Sequence, residues 1–388
     1  MDFDLQWLLI GLPLAFGLGW LASRLDLRQG RRERRDSPRA YFKGLNLLLN
    51  EQQDKAIDAF IEAVQQDPDT SELHFALGNL FRRRGEYERA VRVHEHLLKR
   101  ADLPRADRDR AQHALAQDFM SAGLFDRAEQ AWHALDGSAF DTEARQALLT
   151  LHERSRNWRS AAEVAHKLER SGTGSYASRI AHYWCELAEE ADARQAPAEA
   201  DDALRRAREI APLAARPLVL AGQRARQRGD HAQALQCWGT LLATHPASFC
   251  LVAVAFAQSA QAAGQAASAL ESLRSLSMRE PGMDMVHALA VLDPALPVRQ
   301  QRLRLQLQQY PTLSAARAML ELQGEQHPAQ PLTTADGQLV GRALAQAAKP
   351  LQRYRCAACG FEAQNYFWQC PGCLSWDSYP PKRLEDLQ

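Results

Sequence analysis

A small-residue pattern that returns about every 34 residues constrains this chain more than any other feature. Gly44 is followed twelve residues on by Ala56, then by Phe60, Ala63 and a terminating Pro68. Shifted by 34, the pattern returns as Gly78, Ala90, His94 and Leu97, with Gly85-Glu86-Tyr87 in the turn. After a four-residue insertion it returns as Ala116, Ala128, Trp132 and Leu135, with Gly123 turning. It is clear again as Gly222, Ala234, Trp238, Leu241 and Pro246, with Gly229-Asp230 in the turn. Fainter copies run through Ala162, through Ala188, Ala200, Leu204, Ala207 and Pro212, and through Ala257, Ala269, Leu273, Leu276 and Pro281. A fixed period of this length means stacked, similar units rather than one closed core. A single Gly–Ala pair would carry no weight; repeated registers in phase with helix-stopping prolines do.

The pattern resembles the tetratricopeptide repeat, a two-helix unit of about 34 residues. Ala, Leu, Gln and Arg fill most of the sequence, a helix-forming composition. Small residues such as Gly44 and Ala56 are expected where the two helices of a unit cross closely. The large residue four positions on, Phe60 or Trp238, is expected to fill the gap to the next unit. From about Met283 to Glu325 paired helices continue without the pattern. Such arrays offer an extended concave surface to a peptide or protein rather than a closed pocket for chemistry. By register Asn79, Arg82, Arg83, Gln117, Gln223, Arg226 and Gln258 are expected to line that groove.

The N-terminus reads as a membrane span. Nineteen residues from Leu5 to Ser23 carry no charge, about enough at ~1.5 Å per residue to cross a ~30 Å hydrocarbon layer. Trp7 and Trp20 stand near its ends, where indoles favour the interface. Asp2 and Asp4 precede it. Arg24, Arg28, Arg31, Arg32, Arg34, Arg35 and Arg39 follow, against Asp26, Glu33 and Asp36. A cleaved signal would carry its positive charge before the apolar run. Positive charge stays cytoplasmic, so Met1 is placed outside and everything after Arg24 inside. Gly11, Ala15 and Gly19 recur every four residues and line one face that another membrane helix can approach closely.

The C-terminus reads as a metal knuckle. After the polar linker Ala329–Gly337 and a short helix over about Gln338 to Ala348 come Cys356, Cys359, Cys370 and Cys373, two CxxC pairs ten residues apart. Two such turns facing each other set four thiolates at the corners of a tetrahedron with Zn–S near ~2.3 Å. Gly360 permits the left-handed turn that aims backbone amides at sulfur. The Cys-Pro-Gly-Cys turn resembles a rubredoxin knuckle, and the module a shortened rubredoxin or zinc ribbon. One metal ion is expected. The short loop and the lack of a redox partner domain favour structural zinc, with iron, and an electron-transfer role, as the alternative. Phe361, Tyr366, Phe367, Trp368 and Trp376 crowd the knuckle and are expected to pack on the metal site or on the last repeats. Lys and Arg are too few there for nucleic acid.

Chemistry of other kinds finds no motif. The chain has no phosphate-cradling P-loop, no dinucleotide glycine fingerprint after a strand and no HExxH. His94-Glu95-His96 has the wrong spacing for two ligands on one helix face and reads as surface. Cys185, Cys237 and Cys250 read as small apolar filler inside repeat helices. Lys plus Arg and Asp plus Glu are 47 each, which excludes a generally basic nucleic-acid coat and an acidic disordered tail. No catalytic residues are nominated, and the chain is read as a non-enzyme.

The expected fold class is therefore all-α: a tetratricopeptide-repeat solenoid with an N-terminal transmembrane helix and a small C-terminal rubredoxin-like zinc ribbon. Its expected divisions are 1–24 anchor, 25–39 basic juxtamembrane linker, 40–325 repeat array, degenerate after about 283, 326–351 linker and short helix, and 352–380 metal-binding domain. Anchor, array and CxxC-x10-CPxC knuckle in this order resemble the lipopolysaccharide assembly protein B family. The resemblance implies a regulatory adaptor at the cytoplasmic face of the bacterial inner membrane. It implies work with the membrane-bound AAA+ zinc protease FtsH, promoting degradation of the deacetylase that commits the cell to lipid A. It also implies restraint by a second inner-membrane protein that senses lipopolysaccharide. Cys356, Cys359, Cys370 and Cys373 match the family's metal ligands, and Leu5–Ser23 its anchor. A scaffold that assembles lipopolysaccharide synthesis and export proteins, without delivering a client to a protease, is the alternative.

Overall fold

The computed structural model describes residues 43–47, 50, 52–66, 70–326 and 335–387. The span Leu5–Ser23, with Gly11, Ala15 and Gly19, lies outside them. Among the described residues no helix is long and apolar enough to cross a membrane.

The chain forms two compact units. The first runs up to Arg156, with Arg170–Thr173. It contains α1 (43–47), α2 (Gln53–Gln66), α3 (Ser71–Arg84), α4 (Tyr87–Lys99), α5 (Arg105–Ser121), α6 (Phe125–His133) and α7 (Asp141–Arg154). Packing here follows the order of the chain: α3 lies on α4, α4 on α5, and α3 also reaches α5. A helix touching both its partner and the equivalent helix one repeat on is the signature of stacked helix pairs.

The second unit comprises Asn157–Glu169 and Gly174 onward. It begins with α8 (Trp158–Arg170), α9 (Ala177–Ala193), α10 (Pro197–Ile210), α11 (Ala215–Gln227) and α12 (His231–Thr244). After the one-turn α13 (Pro246–Phe249) come α14 (Ala253–Ala262), α15 (Ala266–Ser277), α16 (Met283–Leu292), α17 (Leu296–Gln309), α18 (Leu313–Gln326) and α19 (Ala335–Ala348). Here α9 touches both α10 and α11, and α12 touches α14, so the same stacking rule holds. The stretch that lost the sequence pattern is still helical, as α16 to α18. The C-terminal module adds a hairpin of β1 (Tyr354–Arg355) and β2 (Glu362–Ala363), antiparallel with Tyr354 opposite Ala363.

The repeat register accounts for the core. Ala56, Ala90, Ala128, Ala162, Ala200, Ala234 and Ala269 are all buried, because a methyl group is all that fits between close helices. The large residue four positions on fills the gap to the next unit as expected: Phe60 shares a buried cluster with Leu73, Leu77 and Leu80, and Trp238 one with Phe249, Val252 and Phe256. It also covers the small residue of its own unit. A Cβ on Gly44 would lie 2.7 Å from the Phe60 ring, and one on Gly78 2.5 Å from His94. A Cβ on Gly222 would fall inside the indole of Trp238, whose Nε1 donates to the Val219 carbonyl at 3.3 Å. The ring needs that depth to reach a backbone acceptor while fully buried. Gly222→Val should therefore lower stability by an amount near or above the top of the ~1–3 kcal/mol usual for overpacking. A thermal melt unchanged from wild type would show that α11 and α12 part without cost.

His94 departs from its sequence reading as surface. It is fully buried, and its Nδ1 lies 2.5 Å from Asp118 Oδ2 on α5. The other Asp118 oxygen accepts from Arg82 at 2.8 Å. At the repeat position usually given to an aromatic, the ring places a polar edge beside the next helix pair, and a buried carboxylate answers it.

A candidate metal centre seated on the repeats

Each CxxC forms a turn closed by its own backbone. In the first, the Gly360 amide donates to the Cys356 carbonyl, and the Cys356 amide to that of Phe361, both at 2.9 Å. In the second, Leu374 donates to Cys370 at 2.8 Å and Cys370 to Ser375 at 2.9 Å. Gly360 takes φ +79°, as expected, but the matching position in the second turn is Leu374 at φ +60°. A branched side chain in the left-handed region is strained, and no sequence signal marked it.

The four sulfurs lie within 4.8 Å of one another, with Cys356–Cys373 at 3.8 Å and Cys359–Cys370 at 3.7 Å. A tetrahedral ion at ~2.3 Å from each sulfur requires edges of ~3.8 Å, so the donor set fits one four-thiolate ion. Polar groups that the sequence reading did not single out complete it. Cys356 Sγ is 3.2 Å from Ser378 Oγ and Cys373 Sγ 3.3 Å from Ser375 Oγ. Tyr379, buried below, lies 3.8 Å from Cys370 Sγ and donates to the Phe361 carbonyl at 3.3 Å. Their only trace in sequence is the polar run Ser375-Trp376-Asp377-Ser378-Tyr379 after the last cysteine.

The electrostatics ask for a cation. Burial opposes ionisation of Cys356, but the Ser378 hydroxyl and the amides of Cys359 and Ala358 outweigh it and draw the thiol down to about 6. At Cys359 an amide bond from Phe361 favours the thiolate, yet desolvation and the three neighbouring sulfurs push it up to about 12. One thiolate forms readily, and the last is costly unless positive charge sits among them. Outside the knuckle, burial pushes Cys185 and Cys250 up to about 12, which keeps both protonated. Cys250 is more than filler: its Sγ donates to the Pro381 carbonyl at 2.7 Å and so fastens the tail.

The knuckle sits on the second unit's helices through an aromatic plug. Trp376 stacks on His182 with ring centroids 4.7 Å apart and meets Tyr183 and Trp158 edge-on. Asp377 accepts from His182 Nε2 at 2.8 Å and Ser178 Oγ at 3.3 Å. Desolvation works against that carboxylate, but the hydrogen bond and charge of His182 hold it below the usual range. Beneath lies Arg216, 3% exposed and held by Glu186 and Glu189 at 2.7 Å each. Lys382–Glu280 at 2.8 Å and Arg383–Asp284 at 3.1 Å tie the tail to the region of α16. The expectation that these aromatics pack on the metal site or on the last repeats holds for Tyr366, against the metal-site core, and for Trp368, against the cluster of α11 to α16, while α8 and α9 receive Trp376. Trp376→Ala should release the knuckle from α9 at a cost of about 3 kcal/mol with its metal retained. Unchanged hydrogen-exchange protection across 178–185 would contradict this.

The expected groove residues fall into two sets. In the first unit Arg82 is engaged by Asp118, by the Ala114 carbonyl at 3.1 Å and by Asn79 Oδ1 at 2.6 Å. Arg83 is exposed, and Gln117 stands 3.5 Å from His113. In the second unit Gln223, Arg226 and Gln258 are exposed, with Arg226 donating to Gln258 at 2.9 Å.

Fold and site together define a helix-pair repeat protein with a rubredoxin-like metal-binding module built into its second unit. Residues 354–380 match the rubredoxin metal binding domain. Over 387 residues the chain is 31% identical to lipopolysaccharide assembly protein B of Escherichia coli (strain K12), covering 98% of each. Over 400 residues it is 26% identical to the protein of that name from Haemophilus influenzae, covering 97% of this chain and 98% of that one. The chain belongs to the lipopolysaccharide assembly protein B family. Solved structures similar to it include a tetratricopeptide repeat protein from Parabacteroides merdae, at 14% identity and TM-score 0.33, covering 66% of this chain and 98% of that one. The Naa15/Naa10 complex bound to HypK is also similar, at 15% identity and TM-score 0.42, covering 81% and 52%.

Proposed function

We propose that this chain is an inner-membrane adaptor that tunes lipopolysaccharide synthesis by promoting FtsH-dependent proteolysis of the lipid A committed-step deacetylase. Family membership over 98% of the chain supports a role in lipopolysaccharide assembly. The observation that carries the adaptor reading is the seat of the knuckle on α8 and α9 through Trp376 and Asp377. A metal module fastened into the repeats enlarges and stiffens one binding body, as holding a folded client requires.

In this reading Leu5–Ser23 crosses the inner membrane once, with the N-terminus periplasmic and the repeats and metal module cytoplasmic. Its Gly11, Ala15 and Gly19 face meets the protease or a lipopolysaccharide-sensing membrane protein. Zinc is the resident ion, held by Cys356, Cys359, Cys370 and Cys373, and its work is structural. Confinement of adaptor and protease to one membrane raises their effective concentration without any chemistry by the adaptor.

The test is the half-life of the deacetylase after protein synthesis is blocked, with and without this chain. Marked lengthening on depletion is the expected result. An unchanged half-life would remove proteolytic delivery and leave a scaffold for synthesis and export proteins.

A further inference from the structure

The second unit carries a crevice that the adaptor reading does not use. It lies between α10, α11 and α12 and encloses about 580 Å³, within the ~300–1,000 Å³ typical of ligand sites. From α11 and the residue that caps it, the crevice takes Leu218, Ala221, Arg224 and Arg228. Successive helical residues are turned by ~100°, so Gln223 and Arg226 point to the opposite side. The crevice is thus distinct from the expected groove.

Its walls carry Arg205, Arg208, Arg224 and Arg228 with two carboxylates, Asp201 and Glu209, and from outside the lining Asp202 answers Arg205 and Asp192 answers Arg224. Asp201 is divided between Arg224 at 3.1 Å and Arg228 at 2.9 Å, while Glu209 holds Arg205 at 2.6 Å. That leaves Arg208 without an acidic partner among the described residues. Arg224 is 8% exposed, and its Nε has no acceptor, although its other nitrogens reach Asp192, Asp201 and the Pro197 carbonyl. Burial, and then the charge of Arg228, disfavours its cationic form. An incoming anion would relieve that crowding. The floor is apolar: Leu204 and Leu218 are buried there, and Pro212 adds to it.

We infer that this crevice binds an acidic peptide segment in which a carboxylate stands beside an apolar side chain. Planar guanidiniums grip carboxylates through paired, charge-assisted hydrogen bonds, and the floor takes the neighbouring aliphatic group. A free phosphate would leave that floor wetted, and an acyl chain would leave the guanidiniums along the wall unanswered. The inference is independent of the adaptor reading, since neither client nor protease enters its test.

Full-length, metal-loaded protein in detergent would be titrated into a labelled peptide of alternating Asp and Leu, read by fluorescence anisotropy. Binding that weakens with added salt is expected. Arg208→Glu should weaken it roughly tenfold or more, with circular dichroism unchanged. Arg304→Glu, an equal charge change on exposed α17 outside the crevice, should leave it intact. Equal loss in both variants would reduce the effect to net charge and overturn the site. So would equal binding of an Asn/Leu peptide, or a site that takes millimolar inorganic phosphate and no acidic peptide.

Discussion

Replacing Cys356 and Cys359 together by serine is expected to abolish metal binding and melt the C-terminal module. In small metal-dependent folds the ion contributes an apparent ~10–16 kcal/mol at neutral pH. The module's own core, Tyr354, Cys356, Cys370 and Tyr379, is too small to offset that loss, and two of its four members are ligands. Metal content per chain should fall to background, and proteolysis should cut freely after about residue 350. The far-ultraviolet helical signal should persist, because the repeats bury cores of their own. A variant that kept a protease-resistant C-terminus would show that the module folds on its aromatics alone. The same site predicts a pH dependence. Each thiol must lose its proton to ligate, so metal affinity falls as pH falls. Cys356, drawn down to about 6, gives up its proton first, while at Cys359, pushed up to about 12, the ion must displace it outright. Release to a colorimetric chelator should rise as the pH is lowered through about 6, and a flat profile would contradict four-thiolate ligation.

The second large effect falls on the first unit. Asp118→Ala should destabilise it by about 3–5 kcal/mol, the usual loss when one member of a buried ion network is removed. Asp118 and His94 are fully buried, and Arg82 reaches in from α3. Without the carboxylate, His94 keeps its ring in an apolar slot against Gly78, and Arg82 loses its acidic partner. Asp118→Asn, which retains a hydrogen-bond acceptor at this site, should cost less. Chemical denaturation distinguishes these outcomes: a loss under ~1 kcal/mol would make the network incidental. Arg82 would then be free to meet a ligand rather than serve α5.

What could be read from the residues alone was whatever depends on short-range repetition. Ala56, Ala90, Ala128 and their counterparts announce close helix crossings because only a methyl group fits there. Their spacing sets the helix-pair period wherever that pair lies in the array. The metal site was legible for a similar reason, since a CxxC turn positions two sulfurs through its own backbone and two such turns complete a tetrahedron. Even so, Ser375, Ser378 and Tyr379 went unmarked, because hydroxyls near a thiolate have no spacing rule.

The tertiary structure alone decided which distant surfaces meet. His182 and Asp377 are 195 residues apart, and nothing in the neighbourhood of either names the other. Trp376 lies on α8 and α9 rather than on the last repeats, and a period of 34 does not state which helices a distant module will meet. His94 turns inward for a related reason: its burial depends on a carboxylate one repeat away. The sequence by itself determined the unit and the ligands. Their assembly was set by contacts between residues far apart in the chain, which only packing brings together.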